Sequence, residues 1–528
     1  MSFEIRERDI LGRIGRLETK TGIIETPILL PVINPTIQLI PPKKMQDLFN
    51  CRALITNAYI IRKHFEEEAA RKGIHRFLDF SGVIMTDSGA YQTLVYGDVE
   101  VSCEEIVQFQ EDIETDIATI LDVPTGWGVS KEYAQSTVDE TLRRARGLSE
   151  IKTRDDIAWV GPVQGGQYLD LVARSAVGMG KLPFEIHALG SPTRVMEQYL
   201  FGTLLEMIMA AKMNLPVERP LHLFGAGHPF MFALAVALGC DLFDSAAYAK
   251  YARDERYMTE RGTTRLSELR YFPCSCPVCR KNDPESVLEM EKVERQRILA
   301  EHNLYVSFSE IKLMKQAIVE GRLWEHLELR AHGHPNLLQA LKSLDKYAEY
   351  LERHSPITKR SGLFFFSSLG LARPEVTRHR KRVSERHCRA KAKVLVLLSQ
   401  TRMRPSHSSN EYQRALKDIQ RRLGEGITDF DVCIYAAPFG IIPIELDEVY
   451  PLSQYEIAAP LELETIKYTA RQVVEYIMTM NYERVFLFQD TETWKGRIVA
   501  ACRQICEKEG LPLEVLDGRT VWPTFACS

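Results

Sequence analysis

Two stretches place an aspartate directly after a short apolar run, with small residues following. One is Met85-Thr86-Asp87-Ser88-Gly89-Ala90-Tyr91-Gln92, entered from Val83-Ile84, and the other is Leu242-Phe243-Asp244-Ser245-Ala246-Ala247-Tyr248. A run of that kind reads as a buried strand and the small residues as the turn leaving it. Each carboxylate then stands at the carboxyl end of a strand, where α/β sheets put their chemistry. Two carboxylates from strands far apart in sequence can face one another across a pocket. At close range each makes ionisation of the other costlier, which separates an ionised attacker from a proton carrier. Taken singly, either Asp reads first as a cap for the turn or helix that follows; the pairing is what points to chemistry.

A second constellation is Cys274-Ser275-Cys276-Pro277-Val278-Cys279, followed by His302. Three closely spaced thiolates and an imidazole make a closed four-coordinate site, so one structural Zn2+ per chain is expected, with no open position for catalysis. Glu285–Ala300 reads as a helix that returns the chain so that His302 reaches the metal. His64, His75, His187, His222 and His228 are the other imidazoles available; His302 follows that helix directly, and no further Cys is near.

The elements that must position these groups recur along the chain. Apolar runs at Ile28–Val32, Ala53–Tyr59, Val83–Thr86, Ile117–Val123, Ala158–Val163, Phe184–Leu189, Leu221–Phe224 and Leu242–Phe243 alternate with amphipathic stretches such as Glu104–Glu114, Lys131–Glu150 and Thr193–Lys212. Alternation of this kind implies right-handed crossovers and a parallel sheet, and eight units predict an α/β fold of the (β/α)8 TIM-barrel type. A doubly wound open sheet is the alternative, without a G-x-G-x-x-G after the first strand to support it. Polar and glycine-rich clusters sit where most of these strands end: Asp122-Val123-Pro124-Thr125, Gln164-Gly165-Gly166-Gln167, Ala188-Leu189-Gly190-Ser191 and Gly225-Ala226-Gly227-His228 join the two Asp motifs. Turn chemistry accounts for Gly and Asp. It does not ask for a Gln before Gly-Gly, or for three Asp at equivalent strand ends.

Composition sets the class. With 528 residues, two or three domains are expected, and 45% hydrophobic with 26% charged residues are the proportions of a globular protein with ample core. Eleven Cys point to thiols and metal rather than a disulfide framework. The net charge of −4 does not by itself suggest a nucleic-acid partner. No basic-then-apolar leader and no bilayer-length apolar stretch is visible, so a cytoplasmic enzyme without a membrane partner is expected.

Taken together, M-T-D-S-G-A-Y-Q, L-D-V-P-T, P-V-Q-G-G, H-A-L-G-S-P, L-F-D-S-A-A-Y, C-S-C-P-V-C and H-N-L-Y-V-S resemble the tRNA-guanine transglycosylases. The resemblance spans about Phe3 to Ala348 and is to the archaeal branch, which places 7-cyano-7-deazaguanine in the tRNA D-loop on the way to archaeosine. It implies a zinc-bearing (β/α)8 barrel and a base exchange at ribose C1′. Such an exchange with retention needs two displacements, one carboxylate attacking while the other manages protons. The resemblance assigns Asp244 as nucleophile and Asp87 as general acid/base; the reverse assignment stays open. It also implies that Asp122 accepts the N–H donors of a guanine-like edge, that Gln164 donates to O6, that Gly165 and Gly166 allow close approach, and that the backbone of Ala188, Leu189 and Gly190 meets the incoming base. Tyr91 and Tyr248 are candidate walls of the pocket, and His228 is read as structural.

The domain layout expected is a catalytic barrel over 1–350 with its zinc site at about 271–303, a basic connector over 351–393, and a small α/β accessory domain over 394–528. The connector carries Arg378-His379-Arg380-Lys381-Arg382 and Arg386-His387-Cys388-Arg389, a pattern that suits either a phosphate backbone or a solvated face. The accessory domain alternates strand and helix, with Cys433, Cys502 and Cys506 read as core. Its Pro438–Pro451 stretch resembles an accessory domain of archaeal transglycosylases and their archaeosine-synthase relatives. Up to Ser528 no RNA-binding PUA module of the kind common in that family is visible, so its absence is an expectation. Binding to tRNA is then expected to be weaker, differently shared, or completed by a separate RNA-binding subunit; the partners expected are tRNA and 7-cyano-7-deazaguanine, with a homodimer and such a subunit as possible additions. An archaeosine-synthase-like paralogue and a non-catalytic tRNA-binding subunit are the alternative functions; the retained thiolates and both Asp weigh against the first.

Overall fold

The chain opens with three antiparallel strands, β1 (Phe3–Asp9), β2 (Gly12–Glu18) and β3 (Ile23–Thr26). Eight parallel strands follow: β4 (Ile28–Ile33), β5 (Ala53–Asn57), β6 (Val83–Asp87), β7 (Ile117–Thr119), β8 (Ala158–Val163), β9 (Ile186–Leu189), β10 (Leu221–Leu223) and β11 (Leu242–Ser245). They close into a barrel, β11 pairing with β4 through Leu242↔Ile28 to Ser245↔Pro31. Every apolar run read as a strand is one of these eight. Strands such as β5 and β8 are buried along their whole length, as parallel strands are when helices cover the outside and side chains fill the inside. The computed structural model describes residues 2–90, 101–386, 392–401, 403–423, 430–489 and 495–517, and it divides into two units, Met1–Ser343 and Leu344–Ser528.

One end of the barrel is sealed by the opening sheet. Leu17 and Ile24 pack against Ile28, Ala53, Val83, Ala158 and Leu242, the residues at which barrel strands begin. Carboxylates at this end hold backbone in place. Asp116 accepts from the N–H of Ile84 at 2.7 Å, and Asp241 accepts from the N–H of Leu221 at 2.8 Å while forming a buried ion pair with Arg13 at 2.7 Å. The apolar pattern has no place for this plug, because three short alternating strands carry no signal of what their buried face will meet.

After the barrel come a hairpin, β12 (Arg256–Thr259) and β13 (Gly262–Arg265), and the zinc-motif segment. The helix expected over Glu285–Ala300 is interrupted. A short helix, Pro284–Glu289, is followed by extended backbone at Met290 and Glu291, and a 29-residue helix, Lys292–Glu320, then carries His302 in its interior. Thr193–Lys212 is likewise two helices, Thr193–Glu197 and Phe201–Lys212, parted around Tyr199 with its φ of +56°.

The second unit holds a two-stranded pair, β14 (Leu363–Phe365) with β18 (Tyr455–Ile457), and a five-stranded sheet. The sheet is built of β15 (Val394–Ser399), β16 (Asp431–Ala436), β17 (Gly440–Pro443), β19 (Arg484–Gln489) and β20 (Leu513–Asp517), in the order β17-β16-β15-β19-β20. All neighbours pair parallel except β17, the antiparallel edge. Alternate residues face opposite cores: Leu395, Leu397, Cys433, Cys502 and Cys506 on one side, Val394, Val396, Leu398, Ala415 and Ile419 on the other. Those three Cys are core residues. Residues 351–393, read from charge as a connector, contain β14 and the helix Pro374–Arg386 within this unit. His387, Cys388 and Arg389 lie outside the described residues.

Candidate active site

The far end of the barrel, where β6 to β11 finish, gathers the polar residues. β5 and β6 run in register with Asn57 directly beside Asp87. Asn57 caps the helix Ala58–Lys72, its Oδ1 accepting from the N–H of Ile60 at 2.9 Å. That fixes the amide orientation, and its Nδ2–H donates to Asp87 Oδ2 at 2.9 Å. Gly89, with φ +96°, turns its own N–H back to the same carboxylate; a Cβ there would stand 2.4 Å from Tyr59 Cβ. These donors favour ionisation, but they lose. Burial first, then the charges of Asp122 and Asp244, push Asp87 up to about 7. Asp87 and Asp244 stand two residues beyond Met85 and Leu242, which face the barrel interior, on strands with β4 and β5 between them. Strand alternation therefore turns both carboxylates inward at the same end of the barrel.

Asp122 follows β7 and is buried, which raises it to about 6. Its Oδ2 accepts from Gln164 Nε2 at 2.5 Å. Gln164 is itself oriented at its other end, where Oε1 accepts from the N–H of Thr125 and the hydroxyl of Ser191, both at 3.0 Å. A Cβ on Gly190 would lie 2.2 Å from that Gln164 nitrogen, so Gly190 is small to leave the amide in place. Gly165 donates its N–H to Thr125 Oγ1 at 3.2 Å. Ala188 and Leu189 fill β9 with fully buried side chains. Asp122 and Gln164 thus form one hydrogen-bonded pair, with Gly190 packed closely beside it.

Asp244 on β11 receives two donors on one oxygen: the N–H of Gly225 at 2.8 Å and His222 Nε2 at 3.0 Å. Gly225 belongs to a glycine-rich strand end visible in the sequence, but His222 does not stand out. His222 lies alone between two leucines and Asn57 follows Thr56 in a mostly apolar run, so the only available signal is their place near a strand's end. One candidate does not line the mouth as expected. Tyr248 is buried in the helix-facing core, its hydroxyl donating to the carbonyl of Val32 at 3.0 Å, and Tyr91 lies outside the described residues. His228 is structural: Nδ1 accepts from the N–H of Phe230 and Nε2 donates to the carbonyl of Gly262, both at 3.1 Å, and burial holds it down to about 4.

The thiol motif does close with His302. The ligand atoms of Cys274, Cys276, Cys279 and His302 all lie within 4.8 Å of one another. His302 Nδ1 is 3.5 Å from Cys276 Sγ and 3.3 Å from Cys279 Sγ; tetrahedral zinc, with bonds of about 2.0–2.3 Å, spaces its ligands by roughly 3.5–3.8 Å. The far nitrogen, Nε2, donates to the carbonyl of Met258 at 2.8 Å, leaving Nδ1 bare for a metal. Tyr257 stacks on the imidazole with ring centroids 3.7 Å apart. The donor set fits a metal ion held by the protein alone.

Residues 9–336 match the family model described as queuine tRNA-ribosyltransferase. The chain is 46% identical over 476 residues to a tRNA-guanine(15) transglycosylase of Methanocaldococcus jannaschii, covering 88% of this chain and 70% of that protein. This chain belongs to the tRNA-guanine transglycosylase family. A tRNA-guanine(15) transglycosylase of Methanococcus maripaludis (strain C5) is 43% identical over 488 residues, 90% of this chain and 72% of its own length. One of Sulfolobus acidocaldarius is 40% identical over 490 residues, covering 92% and 94%. Residues 376–513 match a second family, described as a domain of unknown function. For a transglycosylase the carboxylate cluster at the strand ends is the natural place of chemistry. Among the described residues no helix is long and apolar enough to cross a membrane.

Proposed function

We propose that this protein exchanges guanine at position 15 of the tRNA D-loop for 7-cyano-7-deazaguanine, a step of archaeosine biosynthesis, by double displacement. Asp244 attacks through Oδ2, giving its lone pair to ribose C1′ as the bond to guanine N9 breaks, and the departing base takes the bonding pair and a proton from Asp87. The incoming base then loses its N9 proton to Asp87 and attacks C1′. The ester to Asp244 breaks, and the pair returns to the carboxylate. Two inversions give retention. Asp122 accepts two N–H donors of the base edge, and Gln164, already tied to Asp122 by one amide hydrogen, offers the other to O6. The target nucleotide must leave its stack to reach them.

The observation that supports this reading is the placing of Asp87 and Asp244 on the interior face at the same end of the barrel, where burial first and then the charges of Asp122 and Asp244 leave Asp87 a proton to donate near neutral pH. Asp244, with two donors on Oδ1 and none among the described residues on Oδ2, suits the attacker. Cys274, Cys276, Cys279 and His302 would hold zinc, which supplies rigidity and no reacting position.

The test is incubation of the protein with unmodified tRNA and labelled 7-cyano-7-deazaguanine, followed by nuclease mapping. Label at position 15 is expected with the native chain and none with Asp244→Asn or Asp87→Asn. A tRNA-binding subunit would keep its effect in both variants, and label elsewhere in the tRNA would remove the position-15 assignment.

A further inference from the structure

His222 is fully buried at the middle of β10. It pairs in register with Ala188 on β9 and Leu242 on β11, both of which belong to the barrel's interior core. A polar ring in that position has one evident polar contact: Nε2 lies 3.0 Å from Asp244 Oδ1, while its buried Nδ1 has no hydrogen-bond partner among the described residues. An orphaned buried donor is costlier than an orphaned lone pair facing apolar groups, so the ring proton sits on Nε2 and points at the carboxylate. Gly225 N–H donates to the same oxygen at 2.8 Å. Two donors converge on Oδ1 and leave Oδ2 open.

We propose that His222 is a positioning residue for the nucleophile: with the Gly225 N–H it holds Oδ1 of Asp244, aims Oδ2 at C1′, and sets the balance between free carboxylate and covalent ribosyl ester. This rests on the double-displacement reading above. When Oδ2 bonds to C1′, Oδ1 becomes the carbonyl oxygen of an ester, a weaker acceptor than a carboxylate oxygen. The His222 hydrogen bond therefore stabilises the free carboxylate more than the ester. It is weakened as the adduct forms and restored as the bonding pair returns to Asp244, so it favours release of the tRNA into product over storage as adduct. Removing the donor shifts the equilibrium between bound tRNA and adduct plus free guanine toward the adduct, while both displacements slow because the attacking carboxylate is less well held.

The experiment uses the full zinc-bearing chain with unmodified tRNA, varied free guanine and a denaturing quench, and reads the fraction of protein migrating as a tRNA adduct. In His222→Phe the guanine concentration that reverses half the adduct should rise about tenfold, the effect of losing a hydrogen bond to a charged group, while exchange slows. His222→Gln, whose amide nitrogen is as many bonds from the backbone as Nε2, should return that concentration to within about threefold of the native value. The half-reversal concentration is a ratio among folded molecules, so partial misfolding of either variant does not move it. An unchanged half-reversal concentration in His222→Phe overturns the inference, as does an equal shift in His222→Phe and His222→Gln, which would mark a space-filling role. A native chain that forms no adduct while exchanging bases overturns the double-displacement reading, and this inference with it.

Discussion

Asp87 carries the site's clearest residue-level cost. In an unfolded chain an Asp titrates near 3.8, whereas in the folded protein Asp87 keeps its proton to about 7. Between those two values the folded state binds more protons than the unfolded one, so stability falls as pH rises through that window. Asp87→Asn removes the charge with little change of shape. At pH 8 it should unfold at a temperature a few degrees higher than the native chain, roughly 1–2 kcal/mol more stable, and at pH 3 the two should coincide; a native chain more stable than the variant at pH 8 would remove the buried-charge account. The same carboxyl predicts a pH profile. First-displacement rates, read as guanine released in a single turnover, should decline as pH rises past about 7, because the proton offered to the leaving base is lost. The place of Asp87 and Asp244 at the ends of barrel strands was legible from sequence, since both follow apolar runs and precede small residues. Gly225 was visible as part of a strand-end cluster but not as a donor to Asp244; Asn57 and His222 were not legible, because a cap and a histidine within a strand have bland uses that periodicity does not separate from supporting a carboxylate.

Among the elements, the thiol cluster acts on the site through the backbone it ties down. The helix Lys292–Glu320 brings His302 to the metal and, one residue on, Asn303 to the barrel: its Oδ1 accepts from the N–H of Met258 at 2.9 Å, and its Nδ2 donates to the carbonyls of Tyr248 and Arg256 at 3.2 Å. Tyr248 lies in the helix Ala247–Arg253 that leaves β11 directly after Asp244. A metal clasp on the long helix would thus steady the exit of the strand bearing Asp244. Cys276→Ser, or a strong chelator applied to the native chain, should lower the unfolding midpoint of the barrel by on the order of 5–10 °C and slow exchange with it, with zinc content measured alongside. Unchanged melting after complete loss of metal would show the clasp to be dispensable. The spacing of the Cys and the choice of His302 were legible because ligand chemistry restricts them; the break at Met290 was not, since extended backbone there is set by where the two helices pack.

For the whole molecule, the barrel was the easiest part to read. Eight short apolar runs separated by amphipathic stretches admit few parallel arrangements, and each run became a barrel strand. Charge misled where apolar periodicity did not. Arg378-His379-Arg380-Lys381-Arg382 suits either a phosphate backbone or a solvated face, yet Arg378 and His379 are buried in the second unit. The Arg378 guanidinium donates to Glu352 Oε1 at 2.9 Å and to the carbonyls of Pro356, Glu352 and Ser355 at 2.7, 2.8 and 3.0 Å; His379 Nε2 donates to the carbonyl of Ile441 at 2.6 Å. A net charge count has no access to this division of labour. It makes two opposite predictions within one basic stretch. Arg378→Ala should strip donors from buried carbonyls and destabilise the second unit by about 2–3 kcal/mol, leaving the salt dependence of tRNA binding unchanged in the protein that remains folded. Arg380→Ala with Arg382→Ala, both half-buried positions, should leave the melting midpoint nearly unmoved and weaken tRNA binding. The logarithmic salt slope should then fall by about one for each phosphate that is no longer neutralised. Filter binding across a salt series together with thermal melts of both variants decides it. Identical salt slopes in the native chain and the double variant would assign tRNA binding to other surfaces, and a salt slope altered by Arg378→Ala would contradict the burial of its guanidinium.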